Sequence, residues 1–104
     1  YWATSVSALS DYSGHFHAKD MRVRSGWNFD PGRGYNLSRG GNYGRGTIFG
    51  HGNVPTFQIL SAIRKSGYDG YVSLEFEGME PVLEGVEIGT QNLQHMIEVV
   101  GKMR

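Results

Sequence analysis

Apolar and polar residues alternate strictly in two short stretches of the chain. In His15 to Lys19 (HFHAK), Phe16 and Ala18 fall on one face, and His15, His17 and Lys19 fall on the other. Alternation of this kind is the period of a half-buried strand, and with Gly14 before it the pattern predicts a strand over about 14–19. Tyr71 to Glu77 (YVSLEFE) repeats the pattern, with Val72, Leu74 and Phe76 opposite Ser73, Glu75 and Glu77, and predicts a strand over 71–77. Two further stretches carry a helical period. Pro55 stands at a first helical position, Phe57, Leu60 and Ile63 follow at three-residue spacing, and Gly67 closes the segment, which predicts a helix over 55–66. Leu93, Met96, Ile97, Val100 and Met103 form an amphipathic stripe behind Thr90, a good N-cap, and predict a helix over 90–103.

Between the first strand and the first helix, residues 21–52 show neither period and are expected to form one long loop, as are residues 78–89. Residues 1–13 are expected to be the helical tail of a preceding unit, turning at Asp11–Gly14. The order is therefore strand, helix, strand, helix. Two strands joined by a helical crossover pair in parallel, with a right-handed connection. Parallel sheets need both faces covered, so two strands alone read as a piece of a larger α/β sheet or barrel.

Composition sharpens this picture. Glycine makes up 16 of 104 residues, about twice the usual ~7%. Nine of them fall in residues 26–52, where Tyr35, Tyr43 and Phe49 are interspersed. Ten basic and ten acidic residues give zero formal charge, which argues against a dedicated nucleic-acid or membrane-surface binder. Two Gly-Arg-Gly copies, at Arg33 and Arg45, are too few to reverse that reading. The neutral total conceals a sorted chain. Lys19, Arg22, Arg24, Arg33, Arg39 and Arg45 crowd the glycine-rich region, whereas Ser66 to Gly101 carries seven acids and no Lys or Arg. With no cysteine, disulfides and thiolate chemistry are excluded. No apolar run reaches a membrane span and no signal-peptide layout opens the chain, so a cytoplasmic setting is expected. The chain begins on Tyr1-Trp2 rather than Met, and the expectation is that residues upstream have been removed.

The polar faces of the two strands hold the candidate chemistry. His15, His17 and Lys19 from one strand and Ser73, Glu75 and Glu77 from the other bring imidazole nitrogens and carboxylate oxygens together, donors suited to a divalent metal with open positions for substrate. A solvated sheet face fits the same residue types. Parallel topology favours a site, because polar groups at the carboxyl ends of barrel strands are where active sites sit. Gly50-His51-Gly52 is expected to be a turn shaping the approach to the Pro55 helix, and His95 to be solvated. Trp2 and Trp27 fit either a pocket wall or a packing role.

His17-Ala18-Lys19-Asp20, the Gly50-x-Gly52 turn, Gly67-Tyr68-Asp69-Gly70 and Ser73-Leu74-Glu75-Phe76-Glu77 stand in an order that resembles the C-terminal portion of the xylose-isomerase-like TIM barrels, the sugar phosphate isomerase/epimerase family. The resemblance runs from about Gly14 to the end. It implies α/β architecture of a particular kind: the last two parallel β/α units of a (β/α)8 barrel, plus a preceding helical tail. It also implies a divalent metal, often Mn2+, with Mg2+, Co2+ or Zn2+ as alternatives. The implied activity is isomerisation or epimerisation of a small sugar, sugar phosphate or polyol, by proton transfer next to a metal-polarised carbonyl.

By the same resemblance His17 is a metal ligand, Glu75 is both ligand and acid/base, and Arg22 contacts substrate oxygens. Lys19, His15 and Glu77 beside them are the further candidate substrate contacts. The family's other two ligands, a Glu and an Asp from earlier strands, have no counterpart in this sequence. The chain is accordingly expected to need the remainder of the barrel, or self-association. The alternatives are a non-catalytic barrel fragment that folds only with a partner chain, and a related dehydratase or endonuclease-IV-like enzyme.

Overall fold

The computed structural model describes residues 15–102, so the expected helical tail, the turn at Gly14 and the residues Trp2 and Met103 lie outside the described part. The chain is a mixed α/β arrangement of β1 (His15–Ala18), β2 (Asp20–Arg24), β3 (Asn36–Leu37), β4 (Tyr43–Thr47), α1 (Thr56–Lys65), β5 (Tyr71–Leu74) and α2 (Val82–Lys102). β1 and β5 pair in parallel, with His15 opposite Tyr71 through to Ala18 opposite Leu74. The ladder runs one step further, because the Glu75 N–H donates to the Ala18 carbonyl at 2.8 Å.

The alternation read from the sequence decides what covers this sheet. Ala18, Phe49, Leu60, Leu93 and Val100 form the buried core, and Phe57, Val72, Leu74 and Met96 pack against it. The inward positions of β1 and β5 thus meet the apolar stripes of α1 and α2. Each large side chain fully taken out of water here, such as Phe49 or Leu60, contributes ~1.5–3 kcal/mol. Among the described residues no helix lies on the opposite sheet face.

α1 starts and stops as its sequence dictates. Pro55 occupies the cap position, Arg64 and Lys65 place positive charge in the last turn, and Gly67 follows at φ 81°, donating its N–H to the Arg64 carbonyl at 3.0 Å.

Two expectations require correction. α2 begins at Val82, directly after Pro81, rather than at Thr90, so most of the expected 78–89 loop is helix. The apolar stripe is extended there by glycines instead of large side chains. Gly85 and Gly89 are buried, and a Cβ on Gly85 would come within 2.5 Å of the Phe76 ring while one on Gly89 would touch Leu74 at 3.3 Å. Small residues let the first turns of α2 lie close to β5, a contact with no hydrophobic signature.

The expected long loop of 21–52 is the second correction. It holds an antiparallel sheet of order β2-β4-β3, with Asp20 opposite Thr47 and Arg24 opposite Tyr43. β4 reads YGRGT, and its glycines erase the alternation that marks a strand. The close approach explains one of them. Gly46 bridges Gly78 in parallel, and a Cβ there would lie 2.1 Å from the Glu77 carbonyl oxygen.

Candidate functional site

Parallel pairing offsets the side chains of β1 and β5 so that each polar residue reaches the one two places beyond its Cα partner. The result is a ladder of three cross-strand contacts on the uncovered face. His15 Nε2 meets the Ser73 hydroxyl, His17 Nδ1 lies 2.6 Å from Glu75 Oε1, and the Lys19 ammonium donates to Glu77 Oε1 at 3.4 Å. The His15 and His17 rings stack at 4.7 Å between centroids. A carboxylate only accepts, so His17 Nδ1 is the donor of this pair. The pair stands open to solvent, with side chains 57% and 40% exposed. His17, Lys19 and Glu75 all lie at the carboxyl ends of their strands: His17 is the penultimate residue of β1, and Lys19 and Glu75 stand one residue past the ends of β1 and β5.

As the alternation requires, the structure therefore brings His17 and Glu75 to one spot on adjacent parallel strands. It places Lys19 and Glu77 beside them, on a recess of about 300 Å³ shared with Met21, Asn36 and Arg45. Arg22 goes elsewhere. It lines a separate cavity with Arg24, Tyr35, His51 and Asn53, and it makes no contact with the His17–Glu75 pair. Among the described residues, no third His, Cys, Asp or Glu joins His17 and Glu75 in a cluster able to hold an ion. His17 and Glu75 bring together one imidazole and one carboxylate, donor types that Mn2+, Zn2+ and Co2+ accept. His95 is exposed, as expected. Trp27 neither packs nor lines a cavity; it is 99% exposed.

The most heavily bonded polar group is one that the motif spacing did not single out. Asp20 is 1% exposed. Its Oδ1 accepts the N–H groups of Met21 at 2.9 Å and Val54 at 3.2 Å, and its Oδ2 accepts those of Gly50 at 2.9 Å and Gly52 at 3.0 Å. The Gly50-His51-Gly52 turn is thereby fastened to the start of β2. A signal was present: Asp20 continues the inward series Phe16, Ala18, so a carboxylate was due at a buried position and needed internal donors.

A second network ties the hairpin to the start of α2. The Arg45 guanidinium lies 3.2 Å from Glu80 Oε1, and the Thr47 hydroxyl donates to Glu80 Oε2. Burial pushes the Glu80 carboxyl up, but the Thr47 hydroxyl, the residue's own backbone N–H and the Arg45 charge outweigh it, holding the pKa at about 2 against an ordinary 4.5. Arg45 also lies 5.9 Å from the Tyr35 ring centre. Its hydrogen bond lowers the Tyr35 phenol from the ordinary 10.0, burial opposes this, and Arg24 adds to the lowering.

No helix among the described residues is long and apolar enough to cross a membrane. No protein-family model, curated protein or solved structure matches the chain.

Proposed function

We propose that this chain supplies one wall of the active site of a divalent-metal-dependent sugar isomerase or epimerase, as the C-terminal part of a (β/α)8 barrel working in the cytoplasm. The observation that carries the reading is the meeting of His17 and Glu75, 2.6 Å apart, on the uncovered polar face at the carboxyl ends of parallel strands. A parallel sheet with helices on one face needs cover on the other, and barrel closure turns that second face into an interior whose carboxyl-end mouth receives substrate.

His17 and Glu75 would hold the metal together with ligands from the rest of the barrel. When bound, the ion supplies Lewis-acid polarisation of the substrate's carbonyl and hydroxyl pair. Glu75 accepts a proton from the carbon next to that carbonyl and, in isomerisation, returns it to the neighbouring carbon; in epimerisation an acid from the rest of the barrel delivers a proton to the opposite face of the same carbon. Lys19 donates to sugar oxygens, while Glu77 and His15 fix the hydroxyls around it. Arg22 faces a different cavity, so these three residues take the substrate-contact role on this face.

The reading is tested by incubating the protein that carries this chain with aldoses or ketoses in deuterated water. Deuterium should enter the carbon adjacent to the carbonyl when Mn2+ is present, and Glu75→Gln should reduce that exchange by at least a hundredfold. Exchange unaffected by Glu75→Gln would remove Glu75 from the chemistry and leave the non-catalytic barrel fragment as the better account. The sheets of the described residues have unpaired edges, and on this reading the chain brings only part of a ligand set, so the 104-residue chain on its own should run as an oligomer on size exclusion and hold less than one metal per chain.

A further inference from the structure

The cavity that took Arg22 is unlike the ladder face. It measures about 450 Å³ and is lined by Arg22, Arg24, Asn28, Tyr35, His51 and Asn53, with no carboxylate on its wall. Arg22 stands directly opposite Arg45 across the β2–β4 pair. Like charges facing each other in a sheet are unfavourable. Glu80 relieves Arg45, yet neither Arg22 nor Arg24 has a carboxylate within ion-pair distance among the described residues. Two cationic forks share one concavity, and none of the described residues places a carboxylate against them.

The wall facing them is rigid. His51 sits between the two glycines whose N–H groups Asp20 holds. Asn53 is locked to β2 twice, its N–H donating to the Met21 carbonyl at 2.7 Å and its Oδ1 accepting the Val23 N–H at 2.7 Å. With its oxygen committed to Val23, Asn53 keeps its amide NH2 for donation. The Asn53 amide and the turn that carries His51 are thus held in place beside the two guanidinium groups, and donors held in place lower the ordering cost of binding.

We infer that Arg22, Arg24, His51 and Asn53 form a binding site for a compact oxyanion, a phosphate or carboxylate group of a small molecule, separate from the His17–Glu75 pair. Arginine forks match the paired oxygens of either group bidentately, and the imidazole and amide complete the ring of donors. The inference rests on the cavity and stands apart from the metal-site reading.

The test is titration of the whole chain with inorganic phosphate at constant ionic strength set by sodium chloride, followed by amide shifts in proton–nitrogen NMR spectra. Saturable shifts should appear in β2 and in residues 50–54. Arg22→Gln and Arg24→Gln should each weaken phosphate at least tenfold, and Arg22→Lys should fall between, because lysine keeps the charge and loses the fork. Glu75→Gln should leave the affinity unchanged. Glucose 6-phosphate and malonate, run in parallel, separate the sources. Tighter binding of the ester assigns the site to a phosphate, tighter binding of malonate assigns it to a carboxylate, and either result supports an oxyanion site. No saturable shift with any of the three, or phosphate binding that survives the Arg22→Gln/Arg24→Gln double variant, overturns it.

Discussion

Lys19 and Asp20 are neighbours in the chain and members of one four-residue motif, yet they belong to regions that work in opposite ways. On the β1–β5 face, His15, His17 and Lys19 bond to Ser73, Glu75 and Glu77, side chain to side chain and open to water. Asp20, in contrast, is buried and bonds to backbone, accepting from residues in the segments 21 and 50–54. The ladder can change its partners without leaving any buried group unsatisfied. The Asp20 hub cannot. Polar groups free to bind or react therefore lie on the sheet side that no helix covers, and the carboxylate that holds the fold lies on the side that is closed.

The largest expected effect tests the hub. Asp20→Ala removes the acceptor of four backbone N–H groups, and a buried donor left without a partner costs ~1–3 kcal/mol. Even with water replacing some of the bonds, a loss on the order of 3 kcal/mol or more is expected. That corresponds to a drop in Tm of roughly 10 °C or more for a domain of this size. Asp20→Asn should recover only part, since its NH2 would face N–H donors. Calorimetry showing Asp20→Asn as stable as the parent would reduce the hub to one contact among many.

Glycine contacts give the next effect. A Cβ at Gly46 would lie 2.1 Å from a backbone oxygen of Glu77, which cannot swing away, whereas a Cβ at Gly101 meets nothing within 4 Å. Gly46→Ala should cost about 1–3 kcal/mol through forced separation of β4 from the chain after β5. Gly101→Ala should cost nothing and gain up to ~1 kcal/mol from helix propensity. Equal denaturant midpoints for the two would contradict the close approach at Gly46.

Glu80 adds a pH dependence to the closed side. Its carboxyl is held at about 2 in the folded chain against an ordinary 4.5, so it is harder to protonate folded than unfolded. It therefore supports folding fully above pH 4.5, and that support is lost as pH falls from there toward about 2. Glu80→Gln should cost about 1–2 kcal/mol at neutral pH, through its bonds to Arg45 and Thr47, and should flatten the stability curve across that acid window. An unchanged slope below pH 4.5 would assign the acid sensitivity to other carboxylates.

The same contrast explains which parts of the molecule were legible in the sequence. β1, β5, α1 and the second half of α2 advertise themselves through large apolar side chains at fixed spacing, and His17 and Glu75 follow from that alternation because parallel pairing carries both to one face. Where backbone approaches backbone, the signal vanishes. The glycines of β4 and the buried Gly85 and Gly89 of α2 mark contacts by the absence of a side chain, which no hydrophobic period records. Asp20 was hidden differently, since its partners are N–H groups and every sequence supplies those. Arg22 took its expected substrate role from the resemblance, as the arginine that follows the His17–Asp20 motif. The strand's period of two sends Arg22 to the side of Asp20 rather than of Lys19.

The smallest expected effect on stability comes from the ladder, and it bears most directly on the comparison. Glu75→Gln and Asp20→Asn are the same chemical change, carboxylate to amide. The His17–Glu75 pair is 57% and 40% exposed, and an ion pair so exposed is worth ~0–1 kcal/mol because water and salt screen it and ordering both side chains costs entropy. Glu75→Gln should therefore leave Tm within about 5 °C of the parent. Competition with a metal-sensitive dye should nevertheless show Mn2+ affinity of the complete site reduced at least tenfold, because an amide oxygen is a weaker ligand than a carboxylate. Raising the salt from 0.05 to 0.5 M should shrink what little stability difference remains, as screening removes exposed pairs first. A Glu75→Gln variant destabilised as much as Asp20→Asn would make the ladder a structural device, and Glu75 would then owe its place to the fold and not to chemistry.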